Sequence, residues 1–143
     1  MRPLRFESLA AAAAATIPGA AVRRLSEADP KTAYPYGIDV KMGGSATRWQ
    51  IVAVSAQGDK YDAEETNQVF LKERPEPPQQ SPAAVGSAAH LETALAAVIL
   101  AADVDGEFAA VQIYGETGHA ISHGFTMLCH NGAKVMLNHQ PSR

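Results

Sequence analysis

The sequence predicts an α+β protein made of two halves, each a helix followed by antiparallel strands, packed as one compact domain over residues 1–143. Three observations carry that prediction. An alanine run near the N-terminus and an apolar stretch beyond residue 87 have helical character. Residues 38–42 alternate apolar and polar side chains, the period of a strand. Two glycine-bearing dipeptides, Gly43-Gly44 and Asn131-Gly132, are hairpin turn signals between apolar runs.

The first helix is predicted over residues 5–16, driven by Ala10 to Ala15 and stopped by Pro18 and Gly19. Arg2 and Arg5 ahead of the alanines, with Gly19-Ala20-Ala21 behind, imitate a secretion signal. Glu7 interrupts that pattern and alanine is only weakly apolar, so the segment reads as a helix. A strand follows over residues 20–25, then a loop over 26–35 punctuated by Asp29-Pro30 and Pro35. Next comes the hairpin at Gly43-Gly44. It sets Ile38 opposite Trp49 and Val40 opposite Thr47, and on the other face Asp39 opposite Arg48. Apolar face and charge pair agree on that one register.

Residues 57–66 are expected to be an acidic loop, followed by an apolar run at 69–71 expected as a further short strand. The proline-rich segment 73–82 is expected to be extended and poorly packed, the joint between halves 1–72 and 83–143. Ser87 is a good N-cap for a second helix ending near Asp103. Leu91, Leu95, Val98 and Ala102 mark one face of that helix, and Leu100 makes the far side apolar too. Strands at 108–114, 120–129 and 133–138 complete the chain. Read as a two-residue turn, Asn131-Gly132 pairs His130 with Ala133, Leu128 with Val135 and Thr126 with Leu137. That register makes both hairpin faces apolar. The helices can cover one face, so Thr126, Leu128, Val135 and Leu137, with Leu100 of the helix, are the candidate oligomer interface.

Gly19 to Gly37 spans 18 positions, as does Gly106 to Gly124, which aligns the halves as a candidate pseudo-repeat of low residue identity.

Composition narrows the function classes. Hydrophobic residues make up 46% and charged residues 19%, which is a globular balance rather than a disordered one. The net charge of −3 comes with scattered basic residues, so no nucleic-acid partner is expected. No apolar run is long enough for a membrane helix. Cys129 is the single cysteine, which rules out an internal disulfide and suits a reducing compartment.

No catalytic, metal or cofactor site is expected. Four histidines, His119, His123, His130 and His139, lie in the last quarter. His123 and Cys129 stand six residues apart, about 20 Å along a strand, and the expected register points His139 away from His123. Ser122-His123 and Cys129-His130 are strand neighbours facing opposite ways, so neither is a nucleophile–base pair. The acidic residues 59–65 lack calcium-loop spacing, and no phosphate-loop pattern occurs.

Two segments, Trp49-Gln50-Ile51-Val52-Ala53-Val54 running on to Tyr61-Asp62 and His123-Gly124-Phe125-Thr126-Met127-Leu128 running on to Asn131-Gly132-Ala133, resemble small uncharacterised proteins of actinobacterial phages and integrative elements. The resemblance implies a mobile-element setting, in the host cytoplasm or within a virion, and carries no catalytic residue. The expected role is a non-enzymatic structural or assembly protein, such as a head–tail or tail-terminator component, with protein partners and self-association foremost. The alternatives are a binding module that inhibits a host protein, and a ligand binder or enzyme using the histidine-rich end of the last hairpin.

Overall fold

The computed structural model describes residues 1–28, 36–54, 74–117 and 121–141. The expected acidic loop at 57–66 and strand at 69–71 lie outside the described residues.

Helix α1 spans Pro3–Ala14, two residues earlier than expected, because Pro3 sits in the first turn where its missing N–H costs nothing. Strand β1, Ala21–Arg24, runs directly into a one-turn helix α2, Leu25–Ala28, where the loop was expected to start. Strands β2, Gly37–Met42, and β3, Ser45–Val54, form the predicted hairpin in the predicted register. Gly43 and Gly44 both have positive φ, 59° and 81°, the backbone of a tight two-residue turn.

The second half repeats the order of elements. Helix α3 spans Ala88–Ala102, and its N-cap Ser87 accepts from the His90 N–H. Strand β4, Phe108–Ile113, runs into the one-turn helix α4, Tyr114–Thr117. Strands β5, Gly124–Cys129, and β6, Lys134–Gln140, form the last hairpin. All six strands make one antiparallel sheet in the order β1-β2-β3-β6-β5-β4, with β3 and β6 paired from Arg48↔Gln140 to Val54↔Lys134. The halves therefore share a continuous sheet. Both α1 and α3 lie on one face of it and pack against each other.

The core between helices and sheet draws on both halves, with Phe6, Leu91, Leu95, Ile38, Trp49, Phe108, Phe125 and Leu137 fully covered. Phe6 meets Phe108 edge to face, ring centroids 6.1 Å apart.

The last hairpin departs from its predicted register by one residue. Phe125 pairs with Leu137, Met127 with Val135 and Leu128 with Lys134. The loop has three residues, not two: the Cys129 N–H bonds the Ala133 carbonyl, and only Gly132 has positive φ, 93°. Asn131 keeps negative φ and its side chain accepts from the Ala133 N–H. A shift of one residue moves every β6 side chain to the other face.

The described part of the proline-rich segment, residues 74–82, carries no helix or strand and is mostly exposed, yet hydrogen bonds tie it along α3. The Ser81 N–H bonds Thr93 Oγ1 at 3.0 Å, Gln80 Nε2 bonds the Thr93 carbonyl at 3.2 Å, and Arg74 reaches the Val104 carbonyl at 3.1 Å. This strap, the sheet and α1 surround α3 on three sides, which is why that helix is apolar nearly all round.

Gly37 and Gly124, aligned by spacing in the sequence, each open a middle strand beneath a close backbone pass. A Cβ on Gly37 would stand 2.2 Å from the Trp49 carbonyl oxygen and 2.7 Å from Leu25 Cδ1. One on Gly124 would stand 2.4 Å from the Leu137 carbonyl oxygen and 2.9 Å from the Tyr114 ring. Gly37→Ala should therefore destabilise by about 1–3 kcal/mol or more through forced backbone movement. Gly44→Ala meets open space and bears only the positive-φ penalty, about 1–2 kcal/mol. Thermal melting should rank Gly37→Ala below Gly44→Ala; the reverse order would contradict the close pass.

Candidate functional site

Two places in this fold present chemistry outward: the sheet face away from the helices, and the end of the sheet where β5 begins and β6 finishes.

Because side chains alternate along a strand, the sheet face away from the helices carries Val52 and Val54 of β3, Met136 and Lys134 of β6, and Leu128 and Thr126 of β5. Val54 is 49% exposed, and Val52, Leu128 and Met136 are half-buried. Neither long helix packs over this face; Tyr114 of α4 reaches only its β5 end, at Thr126. On its β1–β2 side Asp39 takes Arg48 in a two-pronged pair at 2.8 and 3.1 Å, and Arg23 at 2.9 Å. Burial works against ionisation of Asp39, but the bonds from Arg48 and Arg23 outweigh it and hold its carboxyl below the usual aspartate range.

Of the five residues expected at an interface, only Leu128 stands open on this face. Val135 and Leu137 are fully buried in the chain's own core, placed there by the one-residue register shift. Leu100 is 6% exposed and lines a small cleft with Pro75 and Pro77 of the strap. Thr126 lies on the outer face but is capped by the Tyr114 hydroxyl, 3.0 Å away, which also donates to Asn138 Oδ1. Four of the five are thus buried or capped within the chain, and the apolar residues open on this face are Val52, Val54, Leu128 and Met136.

The same shift rearranges the histidines. Beyond the Gly124↔Asn138 pair, the His139 N–H bonds the His123 carbonyl at 3.1 Å, so these residues stand directly opposite on one face. Their rings lie edge to face at 6.3 Å, against the expectation that they point apart. On the far side of His139 is Trp49, centroid distance 5.1 Å. Burial, and then repulsion from His123, push the His139 imidazole below its ordinary pKa. Glu92 of α3, buried, accepts the Gly115 N–H at 2.8 Å and holds His123 Nδ1 at 2.7 Å. A carboxylate only accepts, so Nδ1 carries the proton and Nε2 is the open nitrogen. His123 borders a cleft of about 400 Å³ between α3 and the strap, beside Glu92, Thr93, Gln80 and Ser81.

No family model, curated protein or solved structure matches this chain. Chemistry alone must rank the two places.

Glu7 of α1 has a role parallel to that of Glu92. It accepts from the Ser26 N–H at 3.2 Å, the Gly37 N–H at 3.0 Å, Arg24 Nε at 2.9 Å and the Ser26 hydroxyl. In each half a buried glutamate ties the one-turn helix to the long helix. Sequence reasoning missed both, although each is a lone acid inside an alanine- or leucine-rich helix, a pattern that asks for a partner. Cys129 is buried in the core, and burial pushes its thiol up to about 11. Among the described residues no helix is long and apolar enough to cross a membrane.

Proposed function

We propose that this chain is a non-enzymatic assembly protein that associates with copies of itself through the open face of its sheet. The observation that supports the reading is the one-sided packing of the fold. Both long helices sit on one face, while Val52, Val54, Leu128 and Met136 gather on the other, which neither long helix covers. Contiguous apolar surface on a sheet face gains free energy when a second surface excludes water from it. Charged and polar residues on the same face, Arg23, Asp39, Arg48 and Lys134, would then set orientation more than affinity. In the mobile-element setting implied by the resemblance, a virion component such as a head–tail or tail-terminator protein has this requirement. Its place would be the host cytoplasm or the virion.

Molar mass in solution by light scattering tests the reading. Wild type should run as an oligomer, and the double change Leu128→Glu and Met136→Glu should lower the mass to that of one chain while thermal melting stays cooperative. A wild-type monomer at high concentration, or an oligomer that survives both changes, overturns it.

A further inference from the structure

The cross-strand pair His123 and His139, with Glu92 behind it, does more than the fold requires. Comparing the halves shows this. In the first half, Glu7 ties the one-turn helix to α1 using backbone N–H groups, a hydroxyl and Arg24. In the second half, the Gly115 N–H makes the equivalent backbone tie to Glu92. The remaining Glu92 oxygen is given to an imidazole that is 34% exposed. Holding α4 against α3 does not need that histidine.

We propose that His123 and His139 bind a first-row divalent transition-metal ion, of the nickel, copper or zinc class, with Glu92 as the carboxylate that orients His123. Directly opposed residues on one face of an antiparallel pair have Cβ atoms about 5 Å apart, within the span of two imidazoles sharing an ion. A carboxylate on one ring nitrogen is the usual outer partner of a metal-binding histidine, fixing the tautomer that leaves the other nitrogen able to coordinate. Imidazole suits these ions rather than magnesium or calcium. Among the described residues, neither His139 ring nitrogen nor His123 Nε2 has a hydrogen-bond partner. Among the described residues no group of three or more His, Cys, Asp or Glu side chains is placed to hold an ion, so the two imidazoles would be its only protein ligands and water would fill the rest of the sphere.

The chain's single tryptophan provides the readout, because Trp49 lies against His139. Titrating Ni²⁺ into the tag-free protein should quench Trp49 fluorescence saturably at one ion per chain. His123→Gln and His139→Gln should each abolish saturation, and Glu92→Gln should weaken binding about 10–100-fold. Ni²⁺ should also raise the wild-type melting temperature, since it binds the folded state only, and this holds even if a variant fails to fold. Absence of saturable quenching, quenching retained in either histidine variant, or an unmoved wild-type midpoint would overturn the proposal. None of these outcomes depends on self-association.

Discussion

Leu137→Glu should leave no cooperatively folding protein at 25 °C. Leu137 is fully buried on the core face of β6, between Ile51 and Phe125 in the neighbouring strands. Losing the leucine side chain alone costs about 2–5 kcal/mol. Placing a carboxyl there without a partner adds a penalty of similar size, paid as desolvation or as a forced proton uptake. The sum rivals the whole stability of a domain, about 5–15 kcal/mol. Met136→Glu, one residue away but on the open face, should keep its melting transition. Circular dichroism melts of the two variants measure the register directly. A folded Leu137→Glu protein beside an unfolded Met136→Glu protein would restore the two-residue turn.

Glu7→Gln should cost about 3–5 kcal/mol, the second-largest effect expected of a single change. Glu7 is fully buried and its oxygens serve Arg24, Ser26 and Gly37, so the variant leaves the Arg24 guanidinium only the longer pair to Glu27, 3.5 Å, and sets an amide N–H₂ against donors that need an acceptor. The same network makes stability pH-dependent. Burial opposes ionisation, but the bonds from Ser26, Gly37 and Arg24 prevail and lower the Glu7 carboxyl from its ordinary value of 4.5. A depressed folded-state pKa means that the stabilisation is fully present above 4.5 and is lost as pH falls through the folded value. Urea midpoints measured between pH 7 and pH 3 should fall for wild type below about pH 4.5, and Glu7→Gln should flatten that fall. Parallel curves would show that Glu7 does not carry the acid sensitivity.

The two hairpins show how far local sequence reaches. At Gly43-Gly44 both turn residues tolerate positive φ, and the Asp39–Arg48 pair independently reports the register, so turn and partner agree. At Asn131-Gly132 the dipeptide fits either a two-residue turn or the last two positions of a three-residue loop. Both readings align apolar residues, since Phe125, Met127, Val135 and Leu137 are apolar whichever face they take. No charge pair breaks the tie. That one residue explains why Val135 and Leu137, expected at an interface, lie in the core, and why the histidine pair was expected to point apart.

The carboxylates illustrate a different limit. Glu7 and Glu92 stand out as acids in apolar helices, but their partners Gly37 and Gly115 lie 30 and 23 residues away. Such spacing has no period to read. The strap along α3 is similar: proline content predicts an extended chain, while its anchoring to Thr93 depends on where α3 comes to lie.

By itself the sequence determined the α+β class, both long helices, the first hairpin and its register, and the absence of any familiar catalytic motif. Those features rest on interactions within a few residues: helix propensity, N-capping by Ser87, a glycine turn and a cross-strand ion pair. Tertiary structure alone decided the joining of the halves into one six-stranded sheet, the face that β6 turns to the helices, and the meeting of Glu92, His123 and His139. These depend on which distant surfaces exclude water together, and a pattern of period two cannot distinguish one face from the other until a helix covers it.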